Sequence, residues 1–145
     1  MPFCFFTEVT VMTITDNISL ADTSISSTLG YYLETIYSMS QKQPAVRITD
    51  ISMCLGISKP SVNRAVNALK SRGLVSHEPY GDIFLTDKGR SLGGSMYGRH
   101  RQIRRFLMNV LKMNETDADA EAYNIAHNIS QNTVDKMVSF MEMGG

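Results

Sequence analysis

Residues 59–70, Lys-Pro-Ser-Val-Asn-Arg-Ala-Val-Asn-Ala-Leu-Lys, carry the side chains best suited to engage a partner. Val62, Ala65, Val66 and Leu69 recur at the i, i+3, i+4, i+7 positions that share one face of a helix. Lys59, Ser61, Asn63, Arg64, Asn67 and Lys70 then fall on the opposite face. The planar fork of an arginine matches the major-groove edge of guanine, and an asparagine amide matches that of adenine. Lysine and serine suit phosphate oxygens, which position a protein on a duplex without specifying sequence. The pattern therefore predicts a DNA-reading helix, with Arg64, Asn63 and Asn67 toward bases and Lys59, Ser61 and Lys70 toward the backbone.

A reading helix works only on a rigid support. Upstream, Thr49 is placed to cap a short helix holding Ile51, Cys54 and Leu55, Gly56 suits its left-handed end, and Ser58 with Pro60 opens the next helix. The apolar positions Ile51, Leu55, Ile57, Val62 and Ala65, with small Ser52 four residues before Gly56, are those of a helix-turn-helix. Downstream, Leu74 and Val75 open a strand, Tyr80-Gly81-Asp82 forms a hairpin tip, and Ile83, Phe84 and Leu85 return to Thr86, the cap of another helix. Leu29, Tyr32, Leu33, Ile36 and Tyr37 give a preceding amphipathic helix from Ser26 to about Gln41. The sum is a winged helix-turn-helix.

Charge distribution agrees. Fourteen basic and fourteen acidic residues cancel overall, but Lys42 to Lys112 holds thirteen Lys or Arg against Asp50, Glu78, Asp82 and Asp87. The flanking segments are acidic, so the basic block reads as a nucleic-acid face. The wing tip is an exception, because Asp82 should repel phosphate.

The remaining chain reads as helices. One runs from Asp87 to about Lys112 with Gly93 and Gly94 weakening its first half; Thr116 caps a second, to Ile129, whose Asp117, Asp119 and Glu121 suit its positive end; Ser130 caps a third through Met141. The fold class is thus mainly α: residues 1–24 a poorly ordered extension, 25–94 a winged helix-turn-helix DNA-binding domain, and 95–145 an all-helical dimerisation domain. The apolar sides of the last three helices supply the dimer surface, and a homodimer suits a single weak-binding winged helix.

Other classes find little support. Gly93-Gly94-Ser95-Met96-Tyr97 fails the GxSxG pattern at its last position, there is no GxxxxGK[ST] loop, and His77 has no evident acid-base partner, so no enzyme is expected. Cys4 and Cys54 form no CxxC pair and therefore no thiolate zinc site. Apolar runs fall short of the ~18 to 20 residues of a membrane span, and a cytoplasmic protein is expected.

Several stretches resemble one known family. Tyr32-Leu33-Glu34-Thr35-Ile36-Tyr37, Ser58 through Val66, Leu85-Thr86-Asp87-Lys88-Gly89, Arg99-His100-Arg101 and Ile125-Ala126-His127-Asn128-Ile129-Ser130 resemble the diphtheria-toxin-repressor and manganese-transport-regulator family over roughly residues 28 to 142. The resemblance implies a homodimeric transcriptional repressor of the short two-domain type, activated by manganese or iron. It also implies that Glu34, His100 and His127 stand at metal-ligand positions. Other ligand positions are replaced: Tyr31 stands where an Asp or Met is expected, Tyr123 where a Glu or Cys is, Ala126 where a Glu is, and Arg104 where longer members have a carboxylate. Such a donor set implies a divalent-metal site that is weakened or lost. Glu34 is then left to pair with a histidine or with Arg104, and Tyr31 and Tyr123 to fill the space with rings. Two alternatives accompany this reading: a metal-independent winged-helix regulator that answers another effector, and a winged-helix module for protein or RNA contact.

Overall fold

The computed structural model describes residues 25–126 and 128–144; the expected N-terminal extension, residues 1–24, and His127 lie outside them. Among the described residues, six helices and one hairpin follow in the order α1 (Ser27–Ser40), α2 (Ile48–Leu55), α3 (Lys59–Ser71), β1 (Val75–His77), β2 (Ile83–Leu85), α4 (Asp87–Asn109), α5 (Glu115–Ala126) and α6 (Gln131–Glu142).

Helix starts follow local hydrogen-bond chemistry. Ser26, Ser58, Thr86 and Ser130 each accept a backbone N–H three residues ahead through the side-chain oxygen, which satisfies a donor the helix cannot. Two caps differ from expectation. Helix α2 begins at Ile48, before Thr49, because the Asp50 carboxylate accepts the Arg47 N–H at 3.0 Å and fixes the entry one residue pair earlier. Helix α5 begins at Glu115, because the Asn114 side chain, and not that of Thr116, accepts the Asp117 N–H at 2.9 Å.

The turn between α2 and α3 is built as the sequence indicates. Gly56 ends α2 at φ 66°, and the Ser52 hydroxyl donates to the Ile57 carbonyl at 2.6 Å across the turn. Strands β1 and β2 pair antiparallel with Ser76 opposite Phe84, and Ile83 also donates to the Val46 carbonyl at 2.7 Å, which ties the wing to the entry of α2. Where the wing meets α4, Gly89 lies against the Leu74 carbonyl so closely that a Cβ would sit 1.8 Å from its oxygen. Only glycine allows that approach.

One buried cluster joins α1, α2, α3 and the wing through Leu33, Ile36, Ile51, Val62, Leu69 and Ile83, and it extends to Met96 of α4 and Tyr123 of α5. A second holds α4, α5 and α6 through Ile103, Leu107, Ala118, Ala122, Ala126 and Val134. Helix α4 takes part in both and runs unbroken across residues 94 and 95, so the two clusters share one continuous helix.

Candidate nucleic-acid interface and interdomain cluster

On α3, Val62, Ala65, Val66 and Leu69 are buried, and the predicted reading face points outward: Lys59, Asn63, Arg64, Asn67 and Lys70 are exposed and Ser61 is partly so. Short hydrogen bonds order part of this face. The Arg64 guanidinium donates to the Ser61 hydroxyl at 3.1 Å, and that hydroxyl lies 3.0 Å from the capping Ser58 hydroxyl. Lys70, although exposed, donates to the His77 carbonyl of β1 at 2.9 Å, so it ties the wing to the end of α3.

Between the start of α3 and the wing lies a cleft of ≈ 660 Å³, lined by Arg47, Thr49, Lys59, Asn63, His77 and Tyr80. Tyr80 at the wing tip is fully exposed and adopts a left-handed backbone, φ 61°. The Asp82 carboxylate accepts from Arg47 at 2.9 Å. Its charge is thereby partly neutralised, which softens the repulsion expected of an acidic wing. Arg47 carried no marker in the sequence, because its partner stands 35 residues away.

Behind this face, where α1 crosses α4 and α5, sits a buried cluster of polar and aromatic groups. Glu34 and His100 are 2 % exposed, and the Glu34 Oε2 lies 2.8 Å from the His100 Nδ1. On the other side of the ring, Nε2 lies 3.2 Å from the backbone carbonyl of Asp119. A carbonyl only accepts, so Nε2 donates to it, while Nδ1 faces the Glu34 carboxylate. Burial alone would drive His100 toward the neutral form; the Glu34 carboxylate, with help from Asp119, outweighs it and raises the imidazole above its ordinary range.

Tyr31 and Tyr123 wall the pair. Their rings meet edge to face with centroids 5.1 Å apart, and Tyr123 stands edge-on to His100 at 6.3 Å. The Tyr123 hydroxyl donates to the Ser27 carbonyl at 2.9 Å, which ties α5 to the first turn of α1. Burial pushes both phenols far above their ordinary range, so each remains a neutral O–H.

Asp119 is the residue the sequence reading misplaced. Expected only as an acid suited to the positive end of a helix, it is buried, and its Oδ1 lies 2.5 Å from Arg104 Nε, while Arg104 also reaches Glu115 at the surface. Burial raises the Asp119 carboxyl, although Arg104 and His100 draw it down. Arg104 thus pairs with Asp119 and Glu115, not with Glu34. Arg99 was also passed over: its guanidinium donates to the Ala126 and Ile129 carbonyls, each at 2.6 Å, and to Gln131 at 2.9 Å, closing the turn between α5 and α6. Of the residues placed at metal-ligand positions, Glu34 and His100 come together and His127 lies outside the described residues. Among the described residues, no three His, Cys, Asp or Glu side chains converge as a metal-holding group.

Comparison with known proteins matches the chain in two successive stretches. The family model for the iron dependent repressor N-terminal DNA binding domain matches residues 24–83, and that for the iron dependent repressor metal binding and dimerisation domain matches residues 86–143. The transcriptional regulator MntR of Salmonella typhimurium is 30% identical over 114 residues, which cover 79% of this chain and 72% of that protein. An HTH-type transcriptional regulator of Methanocaldococcus jannaschii is 29% identical over 119 residues, covering 81% of this chain and 95% of the relative. The solved structure of the manganese regulator SloR superposes with a TM-score of 0.69 at 30% identity, covering 79% of this chain and 53% of that one. The chain therefore spans about half the length of that structure. With both family models matched along most of its length, the chain belongs to the iron-dependent repressor family of DNA-binding transcriptional regulators.

Proposed function

We propose that this chain is a homodimeric repressor that binds a specific double-stranded DNA operator with α3 in the major groove. The observation that carries the reading is the polar row of α3, exposed along its length and fixed from behind by Val62, Ala65, Val66 and Leu69. Arg64, Asn63 and Asn67 are assigned to base edges, Lys59 and Ser61 to phosphates, and Lys70 to holding the wing while its charge adds to the backbone field.

Two copies are required because one short helix reads few base pairs, and paired half-sites about one helical turn apart supply the rest. Exposed Leu111, Phe140 and Met143, with Ile125 and Met137 partly buried beside them, give the α4 to α6 side an apolar surface for the second copy. No helix among the described residues is long and apolar enough to cross a membrane. The reading places the protein on cytoplasmic DNA, without catalysis.

The test is fluorescence anisotropy on a duplex from the chain's own upstream region against a shuffled duplex of the same composition, at fixed salt. A preference of ~10³-fold or more, with two protomers per site by light scattering, is expected. Equal affinity for both duplexes with a steep salt dependence would sink the reading and favour a winged helix used for non-specific contact.

A further inference from the structure

We infer that the Glu34–His100 ion pair takes the place of a divalent ion as the link between the two domains, so that the arrangement of the winged helix on its helical support does not wait on manganese or iron. Glu34 lies in the stretch matched by the DNA-binding model and His100 in the stretch matched by the metal-binding model. Their contact is a buried joint across that boundary, 2.8 Å long and closed to solvent. His100 also reaches the Asp119 carbonyl, so one ring fastens α1, α4 and α5 together.

The donor set on these helices does not suit a cation. A histidine ligates a metal through a nitrogen lone pair, and here both ring nitrogens are turned to acceptors. The Glu34 carboxylate is already engaged by the His100 ring at 2.8 Å. Asp119 Oδ1 faces the Arg104 guanidinium, a fixed positive charge in the same cluster. The two buried phenols are neutral, and their rings fill the space beside the pair. A divalent ion would have to break the Glu34–His100 contact, turn the His100 ring away from the Asp119 carbonyl and enter beside an arginine and two tyrosine rings.

The inference rests on the proposed DNA binding for its consequence, but not for its first test. The full chain, treated with chelator and dialysed, is titrated with MnCl₂ by calorimetry. No saturable binding up to ~1 mM is expected, corresponding to an affinity too weak to matter as a switch. Stoichiometric binding that is lost in His100→Gln would overturn the inference. Next, affinity for the upstream duplex is measured in EDTA and in manganese. Values equal within ~2-fold support the inference, whereas tightening by more than ~10-fold, about 1.4 kcal/mol, overturns it. If no duplex is bound selectively under either condition, the operator reading fails, and the manganese titration alone decides whether the pair excludes the ion. Glu34→Gln is expected to weaken DNA binding by ~10-fold or more and to lower the unfolding temperature, with a clear coupling to His100→Gln in the double variant. Unchanged stability and DNA affinity in Glu34→Gln would overturn the bridge. Should that variant fail to fold, Glu34→Asp, which keeps the charge but shortens its reach, is expected to show the same loss in part; full wild-type behaviour would overturn it.

Discussion

Glu34 of α1 meets His100 of α4 at 2.8 Å across 66 residues of sequence, with both side chains at most 3% exposed. Burying two charges is costly, and only a short contact with further hydrogen bonding offsets it; the Asp119 carbonyl supplies that second bond to His100. The pair is therefore worth little against an apolar replacement but a great deal against the loss of one partner. Glu34→Gln or His100→Gln should each destabilise the fold by ~3 to 5 kcal/mol, because each leaves the other group buried without its counter-charge. In a chain of 145 residues that corresponds to a fall in Tm of roughly 10 °C or more. Thermal unfolding followed by circular dichroism reads it, and the double variant should lose clearly less than the sum of the two. Strict additivity would mean that the two groups do not act together.

Stability should fall toward alkaline pH. Burial disfavours the His100 charge, yet Glu34 on α1 and Asp119 on α5 overcome it and raise the folded-state value above the ordinary ~6.5. A group that holds its proton more tightly when folded contributes its full share below the unfolded value and loses it as pH rises through the folded one. The other groups around the ring do not cancel this. Tyr123 stays protonated, and Asp119, raised by burial, affects only the acid side, where its protonation relieves a cost of folding. Urea midpoints measured from about pH 6 to pH 10 should decline for the native chain and decline less for His100→Gln. Parallel curves for the two proteins would remove His100 as the cause.

The winged helix was legible in the sequence because its signals are local. Ser58, Thr86 and Ser130 cap the helices they were expected to cap, Gly56 turns at positive φ, and the inward residues of α3 follow from spacing alone. The buried cluster was legible only in part. Glu34 and His100 came from the family resemblance, and their pairing was one of two options that the lost ligands left open. Asp119 was not legible, because an acid in the first turns of a helix ordinarily faces water and complements the dipole. Its direction depends on where the helix starts, and the start at Glu115 puts Asp119 in line with Ala122, Tyr123 and Ala126, all of them buried. Arg99 read as one more member of a basic run. What fixes it is the pair of carbonyls at the end of α5, acceptors that every helix end exposes and no side-chain pattern marks.

Tyr123 tests whether the rings are mere filling. Its hydroxyl donates to the Ser27 carbonyl, a contact spanning 96 residues, while its ring packs on Tyr31 and His100. Tyr123→Phe keeps the ring and removes the donor that ties α5 to the first turn of α1. A loss of ~1 to 2 kcal/mol in chemical denaturation is expected. Tyr123→Ala, which also opens a cavity beside the ion pair, should cost ~3 to 5 kcal/mol. Equal effects of the two variants would assign the whole contribution to the hydrogen bond.

Three basic residues on α3 should fail in three different ways. Arg64 is exposed and held by Ser61, a geometry suited to a base edge, so Arg64→Ala should cost ~1 to 3 kcal/mol on the preferred duplex and relax discrimination at one base pair. Lys59 stands at the first turn, and the proposed binding mode sets its charge against phosphate, so Lys59→Ala should weaken all duplexes alike and lower the magnitude of the salt slope by about 1 per protomer. Lys70 differs from both, because its ammonium is committed to the His77 carbonyl at 2.9 Å. Lys70→Met, which keeps the aliphatic stem, should loosen β1 and β2, seen as faster amide exchange at Val75 and His77, before it changes the salt slope. A binding titration over several salt concentrations, paired with hydrogen exchange on the same variants, separates the three. Identical salt slopes for Lys59→Ala and the native chain would take Lys59 off the phosphate backbone, and unchanged exchange in Lys70→Met would leave Lys70 as an ordinary phosphate contact.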